Sequence, residues 1–559
     1  MKHHSIDADA DVVVVGAGPS GAALAVELGR RGFSVVLLEA GDGVVRDARL
    51  HTVSIRTMEI ARRWGIESEL RNCGWPLDRP QDVVWGTSLA EPEIARLEWP
   101  AIAEMRPPEF SPTFAQRCPQ RWFNAILLDL ARRQPSVEVR TSARMESFVQ
   151  DESGVSVELA EAGDRSTRLR CRYLVGCDGG RSTVRGVLGI EREMSSTWGT
   201  SAEAIIRSPD LASFPLAGRT GRFTVVEPTG MSISLLPFDG REEFRVTLMV
   251  HDGRGTPDDI RRAVTTMAGP DVDFEFVTEV MPWTNREAVA HQFFVGRVIL
   301  AGDAAHTMPT TGGMGMNTGI LDSTDLGWKL QALMEGWGGP GLLPSYEHER
   351  RSAAVRTAAL ASAIYRDWLA MKDQLSDVAE LEQEGPAAEQ ARQRLRELLL
   401  TGFRREFNAV GGALGYRYED SPICVPDGTP PTPDVMETYV PTARPGHLAP
   451  HVWLEDGTST IDLFDREFVL LCLGGDESAA TQITATATVR GIPWRTVVLT
   501  DPAVRKAYAR NYALVRPDGH VAWRGDAIPT DVDSLLDVVT GHGGADALAR
   551  PSHNAAAHA

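Results

Sequence analysis

A glycine signature near the N-terminus, Gly16-Ala17-Gly18-Pro19-Ser20-Gly21, lies between the apolar run Asp11–Val15 and the helix-forming stretch Ala22–Arg30. Strand, glycine turn and helix in that order predict a β-α-β unit, completed by a second strand at Ser34–Leu38. Gly16 permits the tight turn. Gly18 lets backbone approach a pyrophosphate with no Cβ in the way, and Gly21 lets the helix lie close on the strand. The helix start then offers free N–H groups and a partial positive charge to phosphate. Glu39 closes the second strand about 20 residues further on, where a carboxylate accepts hydrogen bonds from a ribose diol. The unit points to a dinucleotide without separating FAD from NAD.

Two later segments repeat the theme of a strand ending in glycine and aspartate. Asp178-Gly179-Gly180-Arg181-Ser182 follows the strand-like Leu169–Gly176. Gly302-Asp303-Ala304-Ala305-His306 follows Arg297–Ala301 and runs on through Pro309, Thr310 and the glycine-rich Gly312-Gly313-Met314-Gly315-Met316-Asn317. A carboxylate at a strand end binds a polyol such as ribitol. A glycine-rich stretch opening a helix gives N–H groups to an electron-rich oxygen.

The rest of the chain narrows the partners. A net charge of −19 over 559 residues repels phosphate backbones, so nucleic acid is not an expected partner. The six cysteines form no Cys-x-x-Cys pair, which argues against a zinc site or a redox dithiol and fits reduced thiols in a cytoplasmic protein. His3 and His4 are a poor metal site, and no metal is expected. The N-terminal apolar run is too short for a signal peptide, and no stretch reads as a membrane span.

The three motifs in this order resemble the flavoprotein aromatic hydroxylases of the p-hydroxybenzoate hydroxylase fold. The tract Gly315-Met316-Asn317-Thr318-Gly319 and onward to Leu330 is most similar to the phenol and 3-(3-hydroxyphenyl)propionate hydroxylase branch. The resemblance implies a bound FAD. It also implies transient NADPH or NADH, and hydroxylation of a phenolic or polyketide-like aromatic substrate with dioxygen through a flavin C4a-hydroperoxide. It places Glu39 at the adenosine ribose, Arg49 beside the pyrophosphate and nicotinamide route, and Gln120 at the ribityl or phosphate region. Asp303 would bind ribitol, and Met316 and Asn317, with Gly315, would offer N–H groups to the flavin pyrimidine. Asp178 belongs to a segment implicated in contacts to both cofactors. Many relatives carry Pro-Pro where this chain has Pro309-Thr310, a departure that bears on geometry beside the flavin. No catalytic base emerges; His51 and Pro309 are the candidates for a role beside the reacting atoms. Ser232, Ser234 and Leu236 are expected to form a pocket wall opposite Pro309. Two rival readings stay open: a same-fold flavoenzyme performing epoxidation, Baeyer–Villiger oxidation or dehydrogenation, and a non-catalytic FAD-binding protein.

The fold expected is α/β, with a Rossmann-like FAD-binding domain built from residues 8–182 and 290–355. A β-rich substrate domain is expected at 183–289 and a helical segment at 356–421. The proline-rich stretch 422–445 reads as a linker. Residues 446–545 resemble the thioredoxin-like domain appended to many such hydroxylases, and 546–559 read as a disordered tail. Cys472 is the one thiol in that domain, so disulfide exchange is not expected there. Its expected role is structure or self-association, which leaves a homodimer open.

Overall fold

The computed structural model describes residues 8–46, 52–161, 165–228, 230–250, 255–372, 374–382, 385–474 and 477–543. The strand Ala10–Val15, with Val12–Val14 fully buried, pairs in parallel with both Val35–Leu38 and Arg165–Gly176. Val137–Arg140 and Val298–Leu300 extend this parallel core on either side, and the hairpin Ala143–Gln150 and Val155–Glu161 folds onto Arg165–Gly176. Continuous runs of Val and Leu suit strands covered on both faces. The helices Pro19–Arg30 and Met314–Glu335 pack against each other beside this sheet.

A second, nine-stranded sheet takes the order His306–Thr307, Met281–Ala290, Arg192–Arg207, Glu243–Val250, Ile233–Pro237, Thr220–Val225, Asp82–Gly86, Ala95–Leu97, with Glu275–Phe276 on Arg192–Arg207. Its pairings are antiparallel except for Thr220–Val225 on Asp82–Gly86. Asp82–Gly86 and Ala95–Leu97 thus pair with the second sheet, although their place in the sequence puts them within 8–182. A pairing between strands so far apart leaves no local pattern to read.

The third sheet has the order Trp494–Val498, Phe468–Cys472, Tyr512–Val515, Val521–Gly525, with the first pair parallel and the other pairs antiparallel. With helices Glu477–Val489, Pro502–Tyr508 and Val532–Val539 between and after the strands, this is thioredoxin-like topology. It does not stand apart from the rest. Trp328, Ala332, Trp337 and Leu342 share one apolar core with Phe468, Leu470, Ile483 and Leu536.

A buried ion cluster crosses the same seam. The Arg516 guanidinium lies 2.9 Å from Asp325, 2.6 Å from Glu349 and 2.5 Å from Asp518, while Lys329 Nζ lies 2.8 Å from Asp325 and 2.6 Å from Glu349. Burial opposes ionisation of Glu349, but Arg516 and Lys329 outweigh it and lower its pKa. This cluster explains why the Met314–Glu335 helix is buried almost all round and yet carries Asp325 and Lys329. Asp325 meets Arg516 across the seam, Lys329 meets Glu349, and Asp322 is held separately by His306 and Arg350.

Candidate active site

The glycine turn behaves as its spacing predicts. Gly16 has φ +99°, and a Cβ there would lie 2.5 Å from the Cys177 carbonyl oxygen. A Cβ at Gly21 would lie 1.9 Å from the Gly16 oxygen, whereas one at Gly18 would meet nothing within 4 Å. The strand, turn and helix are therefore locked together while the backbone at Gly18 opens onto free space. Glu39 braces the turn: its carboxylate accepts from the N–H of Ala17 at 3.0 Å and of Gly41 at 2.8 Å.

The Gly302-Asp303 turn is fixed from behind. Asp322 accepts from the Gly302 N–H at 2.9 Å and from Arg350 Nε at 2.7 Å, and lies 2.7 Å from His306 Nε2. Burial raises the Asp322 pKa, but His306 and Arg350 more than offset this and bring it down to about 2. A fixed negative charge thus holds the turn at neutral pH. Gly312 and Gly313, at φ +71° and +62°, bring the chain into the start of the Met314–Glu335 helix. The first N–H groups of any helix have no partner within it, so Met314, Gly315 and Met316 present donors there.

Gly18, Gln120, Gly179, Asp303, Gly315 and Met316 line one cavity of about 700 Å³. Pro309 and Leu236 line it as well, whereas Ser232 and Ser234 do not; those hydroxyls pair with Glu227 and Thr224. Asn317 turns its side chain to another task, accepting from Ser54 N–H and the Thr57 hydroxyl and donating to the Thr52 and Gly313 carbonyls. Asp178 accepts from the N–H groups of Thr183 and Val184 through one oxygen, and its other oxygen is buried with no hydrogen bond. Thr310 is tethered through its N–H and hydroxyl to Asn285 Oδ1, both at 3.3 Å. Arg49 and His51 fall outside the described residues.

The far wall of the cavity belongs to the second sheet and the helical segment: Gln81, Val83, Trp99, Glu203, Arg222, Arg245, Trp283, Glu406 and Phe407. Sequence reasoning missed these. A usable signal was there, since Glu203 and Arg245 are charges inside otherwise apolar strands, Ala202–Ile206 and Phe244–Val246. Arg222 pairs with Glu406 at 3.1 Å, and Trp368 donates to the other Glu406 oxygen.

Residues 9–361 match the FAD binding domain family, and residues 442–544 match the aromatic-ring hydroxylase C-terminal family. The chain belongs to the FAD-dependent aromatic-ring hydroxylases. This hydroxylase is 33% identical to aklavinone 12-hydroxylase RdmE of Streptomyces purpurascens, over 95% of this chain and 98% of that one. It is 31% identical to a 2,4-dichlorophenol 6-monooxygenase of Cupriavidus pinatubonensis, over 94% of each chain. Among solved structures it resembles the rebeccamycin biosynthetic enzyme RebC with reduced flavin, with a TM-score of 0.86 and 35% identity, covering 95% of this chain and 99% of that one. It also resembles aklavinone-11 hydroxylase with FAD and aklavinone, with a TM-score of 0.80 and 29% identity, covering 96% and 99%. The enzyme is an FAD-dependent aromatic monooxygenase, a class that draws its electrons from NAD(P)H. Among the described residues no helix is long and apolar enough to cross a membrane.

Proposed function

We propose that this hydroxylase inserts one oxygen atom from dioxygen into a phenolic or polyketide-like aromatic ring. The observation that carries the reading is the single cavity that runs from the nucleotide cradle at Gly18 and Gly315 to the sheet wall at Leu236 and Arg222. Cofactor and substrate would share one continuous space. Gly18, Gln120, Asp303, Gly315 and the backbone of Met316 would hold FAD, with Glu39 bracing the turn. Asp178, with a buried oxygen still open to a donor, and Asn317, whose side chain fastens the Thr52–Thr57 segment to the helix start, would support the same site. When bound, FAD would supply the redox chemistry between the nicotinamide and dioxygen.

The chain's own residues set the conditions for that chemistry. Met308, Pro309, Leu236 and Trp283 give the cavity an apolar wall that excludes water and holds a ring in place. The relatives named for aklavinone and for dichlorophenol support an aromatic substrate. The six unpaired cysteines support a reducing, cytoplasmic setting, and association into a homodimer belongs to the same proposal.

The test is a panel of phenols and polycyclic phenols, scored for NAD(P)H oxidation, oxygen uptake and product mass. A product carrying one added oxygen atom is expected. Turnover without an oxygenated aromatic product, in favour of an epoxide, lactone or dehydrogenated product, would overturn the reading.

A further inference from the structure

The cavity wall carries three guanidiniums, and two are engaged within the protein. Arg222 is paired with Glu406, and Arg245 also has a partner. Arg117 differs. Its Nε donates to Gln81 Oε1 at 3.0 Å and its Nη1 to the Gly221 carbonyl at 3.2 Å, both neutral acceptors. Its guanidinium lies 5.0 Å from the centre of the Trp75 ring. Among the described residues no carboxylate comes within ion-pair distance of it, and Nη2 makes no hydrogen bond. The acids of the same wall are committed or distant. Glu406 is held by Arg222, Glu437 lies 3.6 Å from Arg405, and Glu203, on the strand Arg192–Arg207, makes no ion pair with Arg117.

The charged groups nearest to Arg117 make its position worse. Burial, then the positive charges of Arg79 and Arg245, bring its pKa down to about 10. Arg79 itself is spent on the carbonyls of Gly240, Ala217 and Thr220. Taking a cation out of water without a counter-charge costs several kcal/mol. A fold that keeps such a group at a cavity wall, steered by two hydrogen bonds, has left the counter-charge to whatever enters. A phenol is a poor source of it, since its oxygen ionises only near pH 10 in water. A carboxylate is charged before it arrives, and a guanidinium is the side chain whose planar donors match it best.

We propose that Arg117 is a specificity-determining residue that binds a carboxylate on the aromatic substrate. The inference rests on the reading of this cavity as the hydroxylation site. Arg117 would fix which end of the molecule points away from the flavin, and would select acidic aromatics over their neutral analogues.

The experiment uses the FAD-loaded enzyme with a hydroxynaphthoate, its methyl ester and the O-methyl ether of that ester. Binding is read from the flavin absorbance change. The acid is expected to bind at least roughly tenfold tighter than the ester, as one charge-assisted hydrogen bond predicts. Arg117→Met should erase that preference while leaving ester binding and FAD content unchanged, and Arg117→Lys should restore part of it. Acid and ester bound alike by the parent enzyme, or neither bound, overturns the proposal. So does a preference that survives in Arg117→Met. An Arg117-dependent preference for the ester over its methyl ether, in place of acid over ester, assigns the residue to the phenol oxygen and equally overturns it. Loss of FAD in both variants assigns it to the cofactor. An enzyme that oxygenates aromatics while failing this test loses only the inference; one that oxygenates none loses the functional reading beneath it.

Discussion

Two arginines, the fully buried Arg516 and the half-buried Arg117, show how the same side chain serves opposite ends. Arg516 sits at the seam between the nucleotide-binding unit and the C-terminal sheet, ringed by Asp325, Glu349 and Asp518, and is fully buried. Arg117 sits at the cavity wall with neutral acceptors and other arginines around it. At the seam every charge finds its complement inside the protein, so the cluster fastens one part of the fold to another. At the wall the complement is missing. Charge balance separates a structural ion from one that faces a ligand.

The comparison breaks most visibly at the seam. Arg516→Met leaves Asp325, Glu349 and Asp518 with only Lys329 among them, and removing one partner from such a buried network costs about 3–5 kcal/mol. Denaturant unfolding should show that loss in full, with FAD released in the same transition. A variant that keeps the parent midpoint would mean that the cluster is not a fastener.

Acid should attack the same side of the molecule. Burial holds the His520 pKa down to about 4, below its ordinary 6.5, although Asp518 pulls the other way; His451 is likewise lowered to about 4 by burial. The unfolded chain therefore takes up protons on these rings before the folded one does. Stability from this source is undiminished above pH 6.5, falls as the pH drops toward 4, and levels off below that. The loss from one such ring is at most about 3 kcal/mol. His520→Gln should flatten the decline in melting temperature between those limits, and an unchanged slope would exclude the ring as its source.

The cavity side should respond in cofactor binding rather than in fold. On the proposal that Asp303 binds the FAD ribitol, Asp303→Ala would remove a charge-assisted hydrogen bond worth about 1.5–3 kcal/mol. FAD titration should show the weakened affinity while the apoprotein's C-terminal sheet stays folded by circular dichroism. Unchanged affinity would take Asp303 out of the cofactor's reach.

The smallest effect is expected at Cys472, in the strand Phe468–Cys472 and 1% exposed. Burial raises its pKa, so it remains a thiol and acts as a small apolar filler. Cys472→Ser should leave turnover near the parent value and cost about 1 kcal/mol of stability, from the hydroxyl placed among apolar neighbours. Abolished turnover with FAD still bound would require a chemical role for the sulfur.

What the sequence made legible follows the reach of each interaction. The glycine turn was readable because Gly16, Gly18, Gly21 and Glu39 belong to one local unit whose spacing reports its geometry. The Gly302-Asp303 turn was readable for the same reason. Its brace, Asp322, was not, because a carboxylate inside a helix reads as a solvated face until His306 and Arg350 are seen around it. The wall residues Gln81 and Arg222 were hidden by the pairing of Asp82–Gly86 with Thr220–Val225, and Arg117 by its side-chain hydrogen bonds to Gln81 and the Gly221 carbonyl. The C-terminal strands were legible from their apolar runs, but their shared core with Trp328 and Trp337 was not. Proline-rich sequence before them suggested a detached unit; the packing shows a continuous one.

That continuity has a consequence for how the chain is made. Arg516 follows Asp325 by 191 residues. At about 5–20 residues per second, synthesis leaves the two acids Asp325 and Glu349 with Lys329 alone for roughly ten to forty seconds. For most of that interval Trp328 and Trp337 also lack Phe468, the ring that closes over them. The nucleotide-binding half is thus translated early and completed late: its interior waits on polypeptide made well over a hundred residues after it.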